Sequence, residues 1–154
     1  MSIWYRVFAA KEGEPDLAGF AQQLIDTGFE IPLIPRGDDQ GWFEIRLDVE
    51  KERSPLIVER YLATEEGMRQ DLNTWAAWLE TCDYSPNHVW LMERVIQSQQ
   101  LFAMRRPVDH SDEARLDDLC LAIVNYLADG TDGLIQIDNQ GFFSSQMELM
   151  LQEH

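Results

Sequence analysis

Residues Trp42–Val49 alternate without a break, with Phe43, Ile45, Leu47 and Val49 apolar and Glu44, Arg46 and Asp48 charged between them. A period of two is the mark of a half-buried strand, because successive side chains in a strand point to opposite faces. The pattern predicts Phe43, Ile45, Leu47 and Val49 inward and Trp42, Glu44, Arg46 and Asp48 outward. Such a strand belongs to a sheet with one face turned to water or to a partner, the habit of antiparallel rather than parallel sheets.

The flanking sequence supplies the rest of an α+β domain. Ile3–Ala10 alternates as a strand, and Pro15-Asp16 opens a helix in which Leu17, Phe20, Ala21 and Leu24 recur at helical spacing. Gly28 is placed for a C-terminal cap. Phe29–Ile34 reads as a strand weakened by Pro32, and Arg36–Gly41 as a turn. Leu56–Ala63 is a further strand. Thr64 is placed to cap a helix through Thr81, and Ser85-Pro86 starts another that ends near Ser98. Gln99–Arg106 returns as a strand. Ser111 caps a helix to Ala128, stopped by Gly130, and Leu134–Asp138 with Phe142-Phe143 forms a hairpin.

The order is β-α-β-β-β-α-α-β-α-β-β, and the alternating tail Met147–Leu151 suggests one more short strand. This predicts a mixed or antiparallel sheet with helices packed on it, its opening unit ferredoxin-like (a split βαβ) in character. The 154 residues fit one domain, with the charged loop at 50–54 as the best candidate for an internal boundary.

Charge narrows the function classes. Twenty-eight acidic residues against twelve basic ones give a net charge of −16, which opposes ordinary nucleic-acid binding, since that affinity comes from neutralising phosphates. Spread over roughly 8,000 Å² of surface, the net charges lie about 20 Å apart, well beyond the ~8 Å Debye length in physiological salt. Only local clusters can steer a partner. An acidic surplus with few lysines also suits a salty habitat or a GC-rich genome. No run approaches the ~20 apolar residues of a membrane helix, and Met-Ser-Ile-Trp-Tyr-Arg has no basic leader, so neither membrane nor secretion is expected. Two distant cysteines fit a reducing cytoplasm.

Motifs that carry chemistry are sparse. There is no Gly-x-Gly-x-x-Gly, phosphate loop or Gly-x-Ser-x-Gly. Asp129-Gly130-Thr131-Asp132-Gly133 has the wrong ligand spacing for calcium, and His110 has no second histidine at metal-ligand spacing; no metal or cofactor is expected. On the helix after Thr64, Met68, Leu72, Trp75, Trp78, Leu79 and Cys82 share a stripe that takes in Asp71, whose carboxylate would be perturbed there. A paired structural aspartate is the plainer reading. Asp71 and His88 cannot form a dyad, because Asp71 lies about 16 Å up the helix axis from Cys82, where His88 would dock. A Cys82–His88 pair satisfies geometry and could make a nucleophile, although a core histidine beside a core cysteine explains both.

Candidate contact residues are the outward Trp90 and the acidic cluster Asp109, Asp112, Glu113, Asp117 and Asp118. Asp112 and Glu113 suit a helix N-terminus, whereas Asp117 and Asp118 have no such role. The resulting expectation is a cytoplasmic, cofactor-free, non-enzymatic interaction or inhibitor-type protein that covers a basic protein surface, in the manner of immunity proteins. The alternatives are a small enzyme using Cys82 with His88, or Asp71, in a pocket between helix pair and sheet, and a self-associating subunit.

Overall fold

In the computed structural model, which describes residues 2–153, the strands all join one sheet. In chain order the elements are β1 (Trp4–Ala9), α1 (Leu17–Asp26), β2 (Ile34–Asp38), β3 (Gly41–Leu47), β4 (Leu56–Leu62), α2 (Met68–Glu80), α3 (His88–Ile96), β5 (Gln100–Arg105), α4 (Glu113–Thr131), β6 (Gly133–Ile137), β7 (Gly141–Phe143) and β8 (Leu149–Gln152). The sheet runs β2-β3-β4-β5-β1-β6-β7-β8 and every neighbouring pair is antiparallel. The protein is α+β, with four helices and an eight-stranded antiparallel sheet. The loop at 50–54 joins two neighbouring strands of that sheet.

Helices lie on both faces. Against one, α1 and α4 bury Phe20, Leu24, Leu116, Leu119, Ile123 and Leu127 on Tyr5, Val7, Ile45, Leu47, Val58, Phe102 and Met104. Against the other, α2 and α3 bury Met68, Leu72, Leu79, Leu91 and Val95 on Phe8, Leu101, Leu134, Phe142 and Leu151. Strand β1 is central because both of its faces are apolar enough to be covered: Tyr5, Val7 and Ala9 enter the first core and Phe8 the second. The sheet edges are guarded. The carbonyls of Met150 and Gln152 in β8 accept from Ser85 Oγ, Asn87 Nδ2 and the Tyr84 hydroxyl, and the β2 edge carries Pro35.

Several local expectations are corrected. Arg36 pairs with Glu44 but Gly37 pairs with Trp42, so Phe43 is an extra residue on β3, a β-bulge. The bulge inverts the alternation. Trp42 turns inward, 3% exposed, with its indole N–H donating to the Pro15 carbonyl at 3.0 Å, whereas Phe43 turns out, 38% exposed, under the Arg36 guanidinium. The chain approach behind it needs glycine: a Cβ on Gly37 would lie 2.8 Å from the Gly41 carbonyl oxygen. Strand β2 falls at Ile34–Asp38, later than Phe29–Ile34, and only Asp39-Gln40 turn. Helix α2 starts at Met68 instead of after Thr64, because the Glu65 carboxylate bonds back to the Leu62 N–H and closes a turn first. Asp112, not Ser111, caps α4, since Ser111 bonds to Glu50; and α4 runs past Gly130 to Thr131, with Asp132 in the left-handed region at φ 51°.

Candidate functional site: the open half of the sheet

The cluster beneath α2 and α3 includes Tyr61, Leu101, Phe8 and Leu134, which lie side by side on β4, β5, β1 and β6. It stops one row later. The next cross-strand row on that face is Glu44, Glu59, Ala103, Arg6 and Gln136, and beyond it come Arg46, Ile57, Arg105 and Trp4. None of these residues belongs to either core cluster. The apolar cover of the helix pair therefore ends halfway along the second face; on the remaining half Ala103 and Gln136 are buried by their neighbours, Trp4, Arg6, Glu44, Ile57 and Glu59 are half-buried, and Arg46 and Arg105 are exposed.

Two hollows lie on this open half and share Glu59. The first, about 410 Å³, is walled by Phe43 and Tyr61 and by the carboxylates of Asp38, Glu44, Glu59 and Glu65. Two guanidinium groups lie near it. Arg36 is ion-paired with Glu44 at 3.3 Å. Arg60 also lines the hollow, but its guanidinium is buried and committed to the Gln40 and Trp42 carbonyls and to Gln100 Oε1. The Tyr61 hydroxyl donates to Glu59 Oε2 at 2.8 Å, and burial together with this bond pushes the phenol up to about 12. The phenol thus stays a neutral donor and holds the Glu59 side chain in place.

The second hollow, about 420 Å³, has Trp4, Ile57 and Val108 as its apolar wall and Arg105 and Arg106 as its cations. Arg106 is bound to Asp117 at 2.6 Å and lies 3.8 Å from Glu113. Arg105 is exposed and makes no ion pair among the described residues. The open face thus carries an acidic, aromatic-walled end and a basic end. Arg6 anchors its border: it donates to Gln136 and Asp138 and stacks on Trp4 and Trp75. Burial would raise Asp138, but bonds from Gln136, the Trp4 N–H and Arg6 outweigh it and hold the carboxyl below its ordinary range.

The residues singled out by the sequence are scattered. Asp71 is exposed and does not join the buried stripe, whose centre is set by Met68, Leu72, Ala76 and Leu79; at 100° per residue Asp71 falls about 95° from that centre. Cys82 is buried, and its thiol donates to the Trp78 carbonyl at 3.4 Å, while His88 Nδ1 faces the Leu79 carbonyl at 3.2 Å. Each is engaged by backbone, and no hydrogen bond joins the two among the described residues. Cys120 lies in the larger core, where burial pushes its thiol up to about 12.

Four members of the acidic cluster have internal partners. Asp109 accepts from the Ser54 N–H and hydroxyl, which hold it below the usual carboxylate range. Asp112 caps α4, and Glu113 and Asp117 face Arg106. Only Asp118 is exposed without an ion-pair or hydrogen-bond partner among the described residues. Behind the cluster sits a clasp that no sequence pattern marked. His110 Nε2 donates to the Ser54 carbonyl at 2.7 Å, and its buried Nδ1, 3.5 Å from Glu50 Oε2, has no hydrogen-bond partner among the described residues. Glu50 accepts from the Ser111 hydroxyl and from the N–H groups of Ser111 and Asp112, bonds that lower it. Trp90 is 44% exposed, with the Arg94 guanidinium 5.2 Å from its ring centre.

Among the described residues, no group of three His, Cys, Asp or Glu is placed to hold a metal ion, and no helix is long and apolar enough to cross a membrane. Compared with protein families, curated proteins and solved structures, the chain finds no match.

Proposed function

We propose that the protein is a non-enzymatic binding module that takes a basic protein partner on the acidic end of the open half-sheet. The supporting observation is the hollow between Phe43 and Tyr61, with Glu59 held by the Tyr61 hydroxyl and with Asp38, Glu44 and Glu65 around it. A lysine or arginine side chain entering there meets aromatic faces and an oriented carboxylate, the two features that favour a cation at a partly desolvated surface. Arg105 at the other end suits an acidic group or a chain-terminal carboxylate of the same partner. Because diffuse charge is screened, this concentrated group, rather than the net −16, is the electrostatic lead.

The action is inhibitor-type, by covering a surface, in the cytoplasm and without cofactor. The same reading extends to the fold. Strands β6, β1, β5 and β4, with α1 and α4 on one face, follow a ferredoxin-like split βαβ order, to which β2-β3, α2-α3 and β7-β8 are added. A second reading, self-association, is favoured by the exposed apolar residues Val89, Trp90 and Ile96 on the outer side of α3.

The test is capture from lysate of the source cell by four immobilised proteins: wild type, Glu59→Gln/Glu65→Gln, Asp117→Asn/Asp118→Asn and Trp90→Ala. The proposal expects a basic protein retained by wild type and by the Asp117/Asp118 variant and lost from the Glu59/Glu65 variant. Equal retention by the Glu59/Glu65 variant and wild type overturns it. Loss confined to Trp90→Ala transfers the contact to α3.

A further inference from the structure

We propose that a separate notch beside α2, bounded by Trp75, Trp78 and Glu153, binds a quaternary or methylated ammonium group. The notch measures about 260 Å³ and is lined by those residues and Thr74. That is below the roughly 300–1,000 Å³ of sites for drug-sized ligands, so it suits a headgroup or one side chain, not a whole cofactor.

Its walls are the reason for the assignment. The indoles of Trp75 and Trp78 stand at 83° with ring centroids 6.1 Å apart, a corner and not a stack. Two indoles lining one small space, with a carboxylate beside them, are the chemistry that recognises a methylated cation; Phe142 stacks on Trp78 and Arg6 lies over Trp75, which leaves each ring one further face for a ligand. Glu153 makes no side-chain hydrogen bond or ion pair among the described residues and is available as counter-charge. The Thr74 hydroxyl donates to the Gln70 carbonyl, so its proton is already engaged by the helix backbone.

The corner is also held in advance. Trp75 meets Phe8 and Phe142 in T-shaped contacts, and Trp78 stacks on Phe142 at 6.2 Å. Phe8 and Phe142 are fully buried, so the indoles rest on core side chains and lose little freedom when a ligand arrives. Trp75 already serves a cation: the Arg6 guanidinium lies 5.0 Å from its ring centre. Arg6 is ion-paired with Asp138 at 2.8 Å, so its charge is compensated. A primary ammonium holds its water tightly and finds one carboxylate here. A methylated nitrogen sheds water at little cost and packs its methyl groups on the rings, which is why the notch selects it.

The experiment is an NMR titration of the full-length chain, following the tryptophan indole N–H signals at constant ionic strength. The probes are choline, its neutral isostere 3,3-dimethylbutanol, and a short peptide carrying either trimethyllysine or lysine. Choline should move two indole signals saturably and bind about tenfold more tightly than the neutral isostere, the middle of the range for a partly desolvated cation–π contact. Trp78→Ala should abolish the shifts. Because that change also removes the stack on Phe142, Glu153→Gln and the exposed Thr74→Lys serve beside it, the first weakening choline about threefold and the second blocking the notch. A trimethyllysine peptide that binds tighter than choline, with the lysine peptide silent, identifies a protein-borne ligand. Choline equal to or tighter than the peptide identifies a free solute. Absence of saturable shifts below about 50 mM, equal binding of the neutral isostere, or choline affinity unchanged in both Glu153→Gln and Thr74→Lys overturns the assignment.

Discussion

Truncating Trp42 and Phe43 separately tests the inverted alternation of β3. In an unbroken strand Phe43 would be core and Trp42 surface; the bulge makes the opposite true. Trp42 is 3% exposed, packs on Phe102 at 5.7 Å and donates its indole N–H to Pro15. Trp42→Ala should therefore cost about 4 kcal/mol, the usual range for a buried tryptophan, including the stranded Pro15 carbonyl. Phe43 retains 38% exposure and one stacked arginine, so Phe43→Ala should cost about 1–1.5 kcal/mol. With a urea slope near ~2 kcal/mol/M, the midpoints fall by about 2 M and about 0.6 M. The assay is equilibrium urea unfolding followed by far-UV circular dichroism, with the slope unchanged between variants. A Phe43→Ala loss equal to or larger than that of Trp42→Ala would refute the bulge and restore the simple alternation.

Three further outcomes are expected. Asp117→Asn breaks the Arg106 bond and should lower stability by about 1 kcal/mol, whereas Asp118→Asn should change it by less than about 0.5 kcal/mol; equal urea midpoints would show that Arg106 does not depend on Asp117. Cys82 and Cys120 should both label slowly with a thiol reagent in the native state, because both are buried. Fast labelling of Cys82 abolished by His88→Ala would establish a nucleophile there. Asp138 has a folded pKa below its unfolded value, so its contribution is present above about pH 4 and is lost as pH falls through the folded pKa. Urea midpoints measured from pH 7 to 3 should fall less steeply for Asp138→Asn than for wild type. Parallel profiles would remove Asp138 from the acid response.

Elements with strong periodicity were legible in the sequence because their pattern is local. Leu17, Phe20 and Leu24 make α1, and Ile45 with Leu47 make the buried side of β3, whatever surrounds them. The inversion at Trp42 and Phe43 was not legible, because it is imposed by the close approach of β2 at Gly37. The same holds for the acidic cluster: Asp109 and Asp117 look free along the chain, and their partners Ser54 and Arg106 reach them only through the β3–β4 and β5–α4 loops. Asp71 was misplaced because an azimuth averaged over the tryptophans differs from one centred on Leu72 and Leu79. Alternation in β3 did announce an open face. Its extent depends on where α2 and α3 dock, and the residues left outside their cover, Glu59, Arg105 and Trp4, come from three different strands.

The most direct test of the open half-sheet as the binding surface is hydroxyl-radical footprinting of the protein alone and in complex with its captured partner. Oxidation should fall at Phe43, Tyr61 and Trp4 on binding and stay unchanged at Trp90, which lies on α3. Protection of Trp90 and Val89, with Phe43 and Tyr61 as reactive as in the free protein, would contradict the account.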